Sequence, residues 1–84
     1  MKFSIQVKVM PLKELLDPQG KAVTDALRTL GFASVQDVHV GRHLVVEMDA
    51  ADPAAAERTT RDMCNKLLAN PVIEDFEIAS VSTS

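Results

Sequence analysis

The chain has 84 residues, enough for one small domain around a single core. Its 46% hydrophobic and 25% charged residues are a folded protein's composition and exclude a disordered chain. Nine Lys plus Arg against twelve Asp plus Glu give a net charge of −3, without the broad positive field that carries most nucleic-acid binding.

From the start, Phe3, Ile5, Val7 and Val9 alternate with Lys2, Ser4, Gln6 and Lys8, which predicts a strand with one buried and one wet face. Pro11 lacks an amide donor, so the strand should end near Met10, and Pro11 to Leu16 reads as a loop. Asp17-Pro18 opens a helix. The aspartate can accept the free amide of Gln19 or Gly20, and proline at the first helical position loses nothing by lacking one. Ala22, Val23, Ala26, Leu27 and Leu30 fall on one apolar stripe, and Gly31 supplies a left-handed C-terminal residue on which Phe32 folds back.

Val35, Val38 and Val40 predict a second strand, Gly41-Arg42 a tight turn and Leu44 to Met48 a third strand, together a β-hairpin. Asp52-Pro53 repeats the helix opening. The stripe of this second helix is Ala56, Thr60, Met63, Cys64, Leu67 and Leu68, ending at Asn70-Pro71, where Asn tolerates the left-handed conformation and Pro forbids continuation. Phe76, Ile78 and Val81 mark a last strand, after which Ser82 to Ser84 should fray. The order β-α-β-β-α-β predicts an α+β, ferredoxin-like sandwich over residues 1–84. It has a four-stranded antiparallel sheet with two helices on one face.

Functional readings follow from what those elements carry. No stretch is apolar enough for a membrane span, and with one cysteine no intrachain disulfide is possible, which fits the cytoplasm. Cys64 lies on an apolar stripe and reads as a buried structural thiol. No phosphate loop, nucleophile elbow or paired-carboxylate motif occurs, so no catalytic residue is expected in this chain alone. His39 and His43 flank the Gly41 turn, yet two imidazoles without further ligands fall short of a metal site. The open sheet face should carry Lys2, Ser4, Gln6, Lys8, Asp37, His39, His43, Val45, Glu47, Asp75 and Glu77, with no aromatic platform for bases. Such a mixed-charge face, two sheet edges and a small core favour self-association. Gly20 in a first helical turn costs about 1 kcal/mol relative to Ala. It marks either simple tolerance or the close approach of another backbone or ligand.

Leu16-Asp17-Pro18-Gln19-Gly20-Lys21-Ala22-Val23 and Leu67-Leu68-Ala69-Asn70-Pro71-Val72-Ile73-Glu74-Asp75-Phe76 resemble, in order and over nearly the whole chain, motifs of the PurS family. These are the small subunits of phosphoribosylformylglycinamidine (FGAM) synthase. The resemblance implies a ferredoxin-like, non-catalytic assembly subunit of a purine-pathway ligase. A large subunit would form the amidine with ATP and Mg, and a separate glutaminase would release ammonia from glutamine. The small subunit, a homodimer or dimer of dimers without a cofactor of its own, would bridge the two and support ammonia transfer. Neither nucleic acid nor membrane is implied as a partner. Asp17, Pro18, Gln19, Gly20, Asn70 and Pro71 are the expected partner contacts, and replacing Gln19 and Gly20 by alanine should preserve the fold while weakening assembly. Three features depart from the family pattern: a slightly shorter Pro11–Leu16 loop, His39 and Arg42 in place of the more usual Arg and Lys, and an alanine-rich Asp49–Ala56 segment. The reading from a different class is a stand-alone ferredoxin-like dimer that binds a small metabolite.

Overall fold

The computed structural model describes residues 1–13, 15 and 17–83. Leu16, the first residue of the motif, and Ser84 lie outside the described residues, while Ser82 and Thr83, expected to fray, instead pair with Ser4 and Phe3 at the end of the sheet. The elements are β1 (Lys2–Pro11), α1 (Pro18–Thr29), β2 (Arg42–Asp49), α2 (Pro53–Met63), a π-helical turn (Cys64–Leu68) and β3 (Glu74–Thr83). The strands form one antiparallel sheet of order β2-β1-β3. Alternation along β1 puts Phe3, Ile5, Val7 and Val9 into the core, opposite Met48, Val46, Leu44 and Arg42 of β2. On the other side Val9 faces Phe76 and Val7 faces Ile78. The pairing then slips at Gln6/Val7, so that Gln6 faces Ser80 and Ile5 faces Val81. Ala79 is the extra residue of a β-bulge, and the bulge returns Val81 to the core side after an odd spacing from Ile78.

Both helix openings form as the sequence predicts. Asp17 accepts from Gly20 N at 3.0 Å and Asp52 from Ala55 N at 2.7 Å. Gly31 takes φ 102°, with Gly31 N donating to Arg28 O and Phe32 N to Leu27 O, a Schellman ending.

The described sheet has three strands where four were expected. Residues 35–40 run without a strand partner, because α1 takes their polar groups. Thr24 Oγ1 accepts from Val38 N at 3.0 Å and Asp17 Oδ2 from Val40 N at 2.9 Å. Arg28 donates through Nε to Val35 O at 2.9 Å and through an Nη to Gln36 O at 3.1 Å. Amides satisfied by a helix are not free to build a hairpin. Asp37 and His39 therefore belong to this segment and not to the open sheet face. Gly41 does not turn the chain back either. It lies against the end of β1, where a side chain would meet Val9 O and the Met10 thioether.

Of the two described α-helices, α2 packs on the sheet, burying Ala56 and Thr60 over β1, with Cys64 of the following turn beside them. Its expected stripe fails at Leu67, which is 83% exposed. The turn that follows α2 is wider, with Ala69 N donating to Cys64 O, and the additional residue rotates Leu67 outward while Ala69 becomes buried. Asn70 is not left-handed; no described residue other than glycine has positive φ. Its side chain instead shapes the turn beyond the helix, Oδ1 accepting from Val72 N at 3.1 Å. Helix α1 projects beyond the sheet, and the molecule measures 50 × 26 × 14 Å. Its radius of gyration of 16.2 Å exceeds the roughly 12 Å of a compact chain of this length.

Candidate partner-contact groove

The two motif segments meet at the end of the sheet. Asp17 sits at the junction of β1, α1 and the 35–40 segment, its side chain only 12% exposed. One carboxylate oxygen caps α1 and the other holds Val40 N, with His39 Nδ1 3.9 Å away. The Gly20 amide and then the Val40 amide hold its pKa below the usual carboxylate value; burial opposes them, and the charge of His39 adds a weaker lowering effect than that opposition.

Gly20 is buried beside it. A Cβ there would stand 2.5 Å from Asp17 Oδ2 and closer still to Val38 O. Of the two sequence readings, close approach of a backbone is the right one, and the backbone is the chain's own. Alanine at position 20 is therefore expected to strain this turn and destabilise the fold rather than leave it unchanged. Pro18 and Gln19 are exposed.

On the facing side Asn70 organises the exit from the π-helical turn. Its carbonyl accepts from Ile73 N and Glu74 N, and its amide donates to Glu74 Oε1 at 2.9 Å. Arg42, at the start of β2, donates from one nitrogen to both Glu74 carboxylate oxygens, at 2.9 and 3.0 Å, and to Leu68 O at 3.1 Å. Pro71 is exposed. Between the two motifs lies an open groove of about 400 Å³, walled by Pro11, Leu15, Pro18, Val40 and Ile73, with Gln19, Arg42 and Glu74 at its polar margin. Arg42 and Glu74 neutralise one another, so the groove fits a neutral polypeptide segment better than an anion.

Sequence reasoning found the motif residues but missed Thr24, Arg28 and the pairing of Arg42 with Glu74. Thr24 was detectable: it lies seven residues beyond Asp17, on the same helical face as Gly20 and away from the apolar stripe. Arg42 and Glu74 meet across 32 residues of sequence, and no local pattern announces them. The structure does not bring the two histidines into one site. His39 is near Asp17 and Asp37, whereas His43 meets the Gln6 side chain on the open sheet face. Cys64 is buried and its thiol pKa is raised by burial, only partly opposed by the charge of Arg61. Among the described residues, no helix is long and apolar enough to cross a membrane.

The described residues define a small α+β protein, three antiparallel strands and two α-helices, with an open groove at the end of its sheet. Comparison with known proteins is specific. Residues 4–82 match the family model for PurS, phosphoribosylformylglycinamidine (FGAM) synthase. The chain is 38% identical over 74 residues to the FGAM synthase subunit PurS of Bacillus subtilis, covering 88% of this chain and 87% of that protein. The Methanocaldococcus jannaschii PurS structure, described as one of the subunits of formylglycinamide ribonucleotide amidotransferase in the purine biosynthetic pathway, superposes with a TM-score of 0.84 at 32% identity. It covers 98% of both chains. A chain of the PurLQS structure from Thermotoga maritima superposes with a TM-score of 0.83 at 26% identity, over 96% of this chain and 95% of that one. The chain belongs to the PurS family.

Proposed function

We propose that this chain is the small, non-catalytic subunit of FGAM synthase in cytoplasmic purine biosynthesis. It bridges the glutaminase and the ATP-dependent synthetase subunit and supports ammonia transfer between them. The ATP and Mg of the reaction belong to the large subunit. The chain associates with itself, as a homodimer or a dimer of dimers, and completes its ferredoxin-like architecture in that assembly. The observation that carries the reading is the convergence of both family motifs on one exposed groove, in a chain whose relatives include a member of a PurLQS complex. In that groove Pro18 and Gln19 touch the partner directly. Asp17 and Gly20 fix the turn that presents them, whereas Asn70 and Pro71 do not line the groove and act only through the turn that places Ile73 and Glu74 on its opposite bank.

The test is reconstitution. The matching large subunit and glutaminase, with ATP, Mg and formylglycinamide ribonucleotide, are supplied with either glutamine or ammonium salt, with and without this chain. Amidine formation from glutamine should require the chain, while ammonium bypasses it. Equal activity without the chain in both arms would overturn the reading. Thermal stabilisation of the isolated chain by a purine-pathway metabolite or an amino acid would then favour the stand-alone binding module. Gln19→Ala should weaken assembly without changing the melting temperature. Unchanged assembly would remove the groove from the interface.

A further inference from the structure

What the groove can hold follows from which of its polar groups are already engaged. Its backbone is largely tied up within the chain. Val40 N donates to Asp17, Ile73 N and Glu74 N donate to Asn70 O, and Ile73 O accepts from Leu12 N. Pro11 and Pro18 bring no amide proton at all. An occupant is therefore not added as a further strand, which needs a row of free backbone groups.

The acidic groups on its walls are engaged as well. Asp17 turns both oxygens inward, onto Gly20 N and Val40 N, at the N-terminus of α1, where the helix dipole meets its charge. Glu74 accepts from Arg42 through both oxygens and from Asn70 N through one. Arg42 is engaged on one side only. Its hydrogen bonds to Glu74 and Leu68 all leave from a single Nη. Among the described residues, the N–H groups on Nε and on the other Nη donate to nothing, so the margin keeps donors that call for a neutral acceptor.

Between these margins the walls are apolar: Pro11, Pro18, Val40 and Ile73. A charged group entering there would lose its hydration and meet no free counter-charge. The volume of about 400 Å³ is that of a small ligand pocket, room for a side chain with the backbone on either side of it.

We infer that the groove takes an uncharged, extended loop of a partner subunit, which inserts one apolar side chain between Pro11, Pro18, Val40 and Ile73 and presents backbone carbonyls to Arg42. This rests on the partner role proposed for the groove and states the chemistry of what it holds. Recognition is by apolar fit and neutral hydrogen bonds. The ion pair of Arg42 with Glu74 keeps charged segments out, because an acidic one meets Glu74 and a basic one meets Arg42.

Binding of the full chain to the matching large subunit and glutaminase tests this, with Ile73 replaced in turn by Leu, Asp and Lys. Ile73 is 47% exposed on the groove wall, so the melting temperature and far-UV circular dichroism of each variant should match wild type. Ile73→Leu should bind as wild type does. Ile73→Asp and Ile73→Lys should each weaken binding at least 10-fold and by similar factors, since a neutral occupant offers a counter-charge to neither. Asp and Lys acting in opposite directions would overturn the neutral occupant while leaving the groove in the interface. A loss as large with Leu as with Asp would overturn the apolar insertion. Hydrogen exchange of the unmodified chain gives an answer that no misfolded variant can obscure. The amides of Leu12, Val40 and Ile73 should slow when the complex forms. Protection elsewhere with these three unchanged would remove the groove from the interface, and with it the reading on which this inference rests.

Discussion

Replacing Gly20 by alanine sets two effects of opposite sign against each other. Helix propensity alone favours alanine by about 1 kcal/mol. The new Cβ, however, would enter the space of Val38 O and come 2.5 Å from Asp17 Oδ2 and 2.9 Å from Cγ. Two of these obstacles belong to a carboxylate already fixed by two amides and one is backbone, so none can move aside by a rotamer change. Overpacking of this kind costs about 1–3 kcal/mol. Displacing Val38 also gives up its hydrogen bond to Thr24, worth about 0.5–1.5 kcal/mol. The clash wins, with a net loss of about 2 kcal/mol. For a domain of this size that lowers the melting temperature by ~10 °C. Thermal and urea unfolding followed by circular dichroism, at matched protein concentration, measure it. A Gly20→Ala protein that melts at or above wild type would show that helix propensity governs the position and that the close approach of Val38 does not constrain it.

Thr24→Val keeps the shape of the side chain but leaves Val38 N–H without its acceptor. It should destabilise by about 1–3 kcal/mol, with accelerated hydrogen exchange at the Val38 amide as the local signature. Acidification should release the 35–40 segment from α1. The Asp17 carboxylate has its pKa lowered by folding, so its contribution is complete above the unfolded value near 3.9 and disappears as pH falls through the lower folded value. The Val40 amide followed by NMR exchange reports this loss, and Asp17→Asn should remove the acid dependence. Cys64 should resist thiol reagents at neutral pH in the native chain and react freely in urea, because burial both blocks it and disfavours its thiolate. Prompt labelling of the native chain would contradict its placement.

Local chemistry made most of this fold readable. The alternation of β1 and the two Asp-Pro caps involve neighbours within four residues, and each forms where expected. Val35, Val38 and Val40 misled because valines in a row resemble a strand whether or not another strand pairs with them. The decision lay with Asp17, Thr24 and Arg28, up to 23 residues away. Periodicity identified the α1 stripe correctly, but it specifies which face is apolar and not what covers it. Leu67 was misplaced because one residue of π-helical widening, invisible in a 3.6-residue pattern, rotates everything after Cys64. The groove was half legible: its motif residues stood out, while the Arg42–Glu74 tie that holds its far bank appears only when the chain is folded.

That tie has a kinetic meaning. Arg42 fastens the start of β2 to the start of β3 and to the end of the π-helical turn, so three chain segments are held in place before any partner arrives. A partner entering this groove meets a surface with little left to order, and the encounter does not wait on a folding step. Association through the groove should therefore proceed in a single kinetic phase whose rate rises linearly with partner concentration.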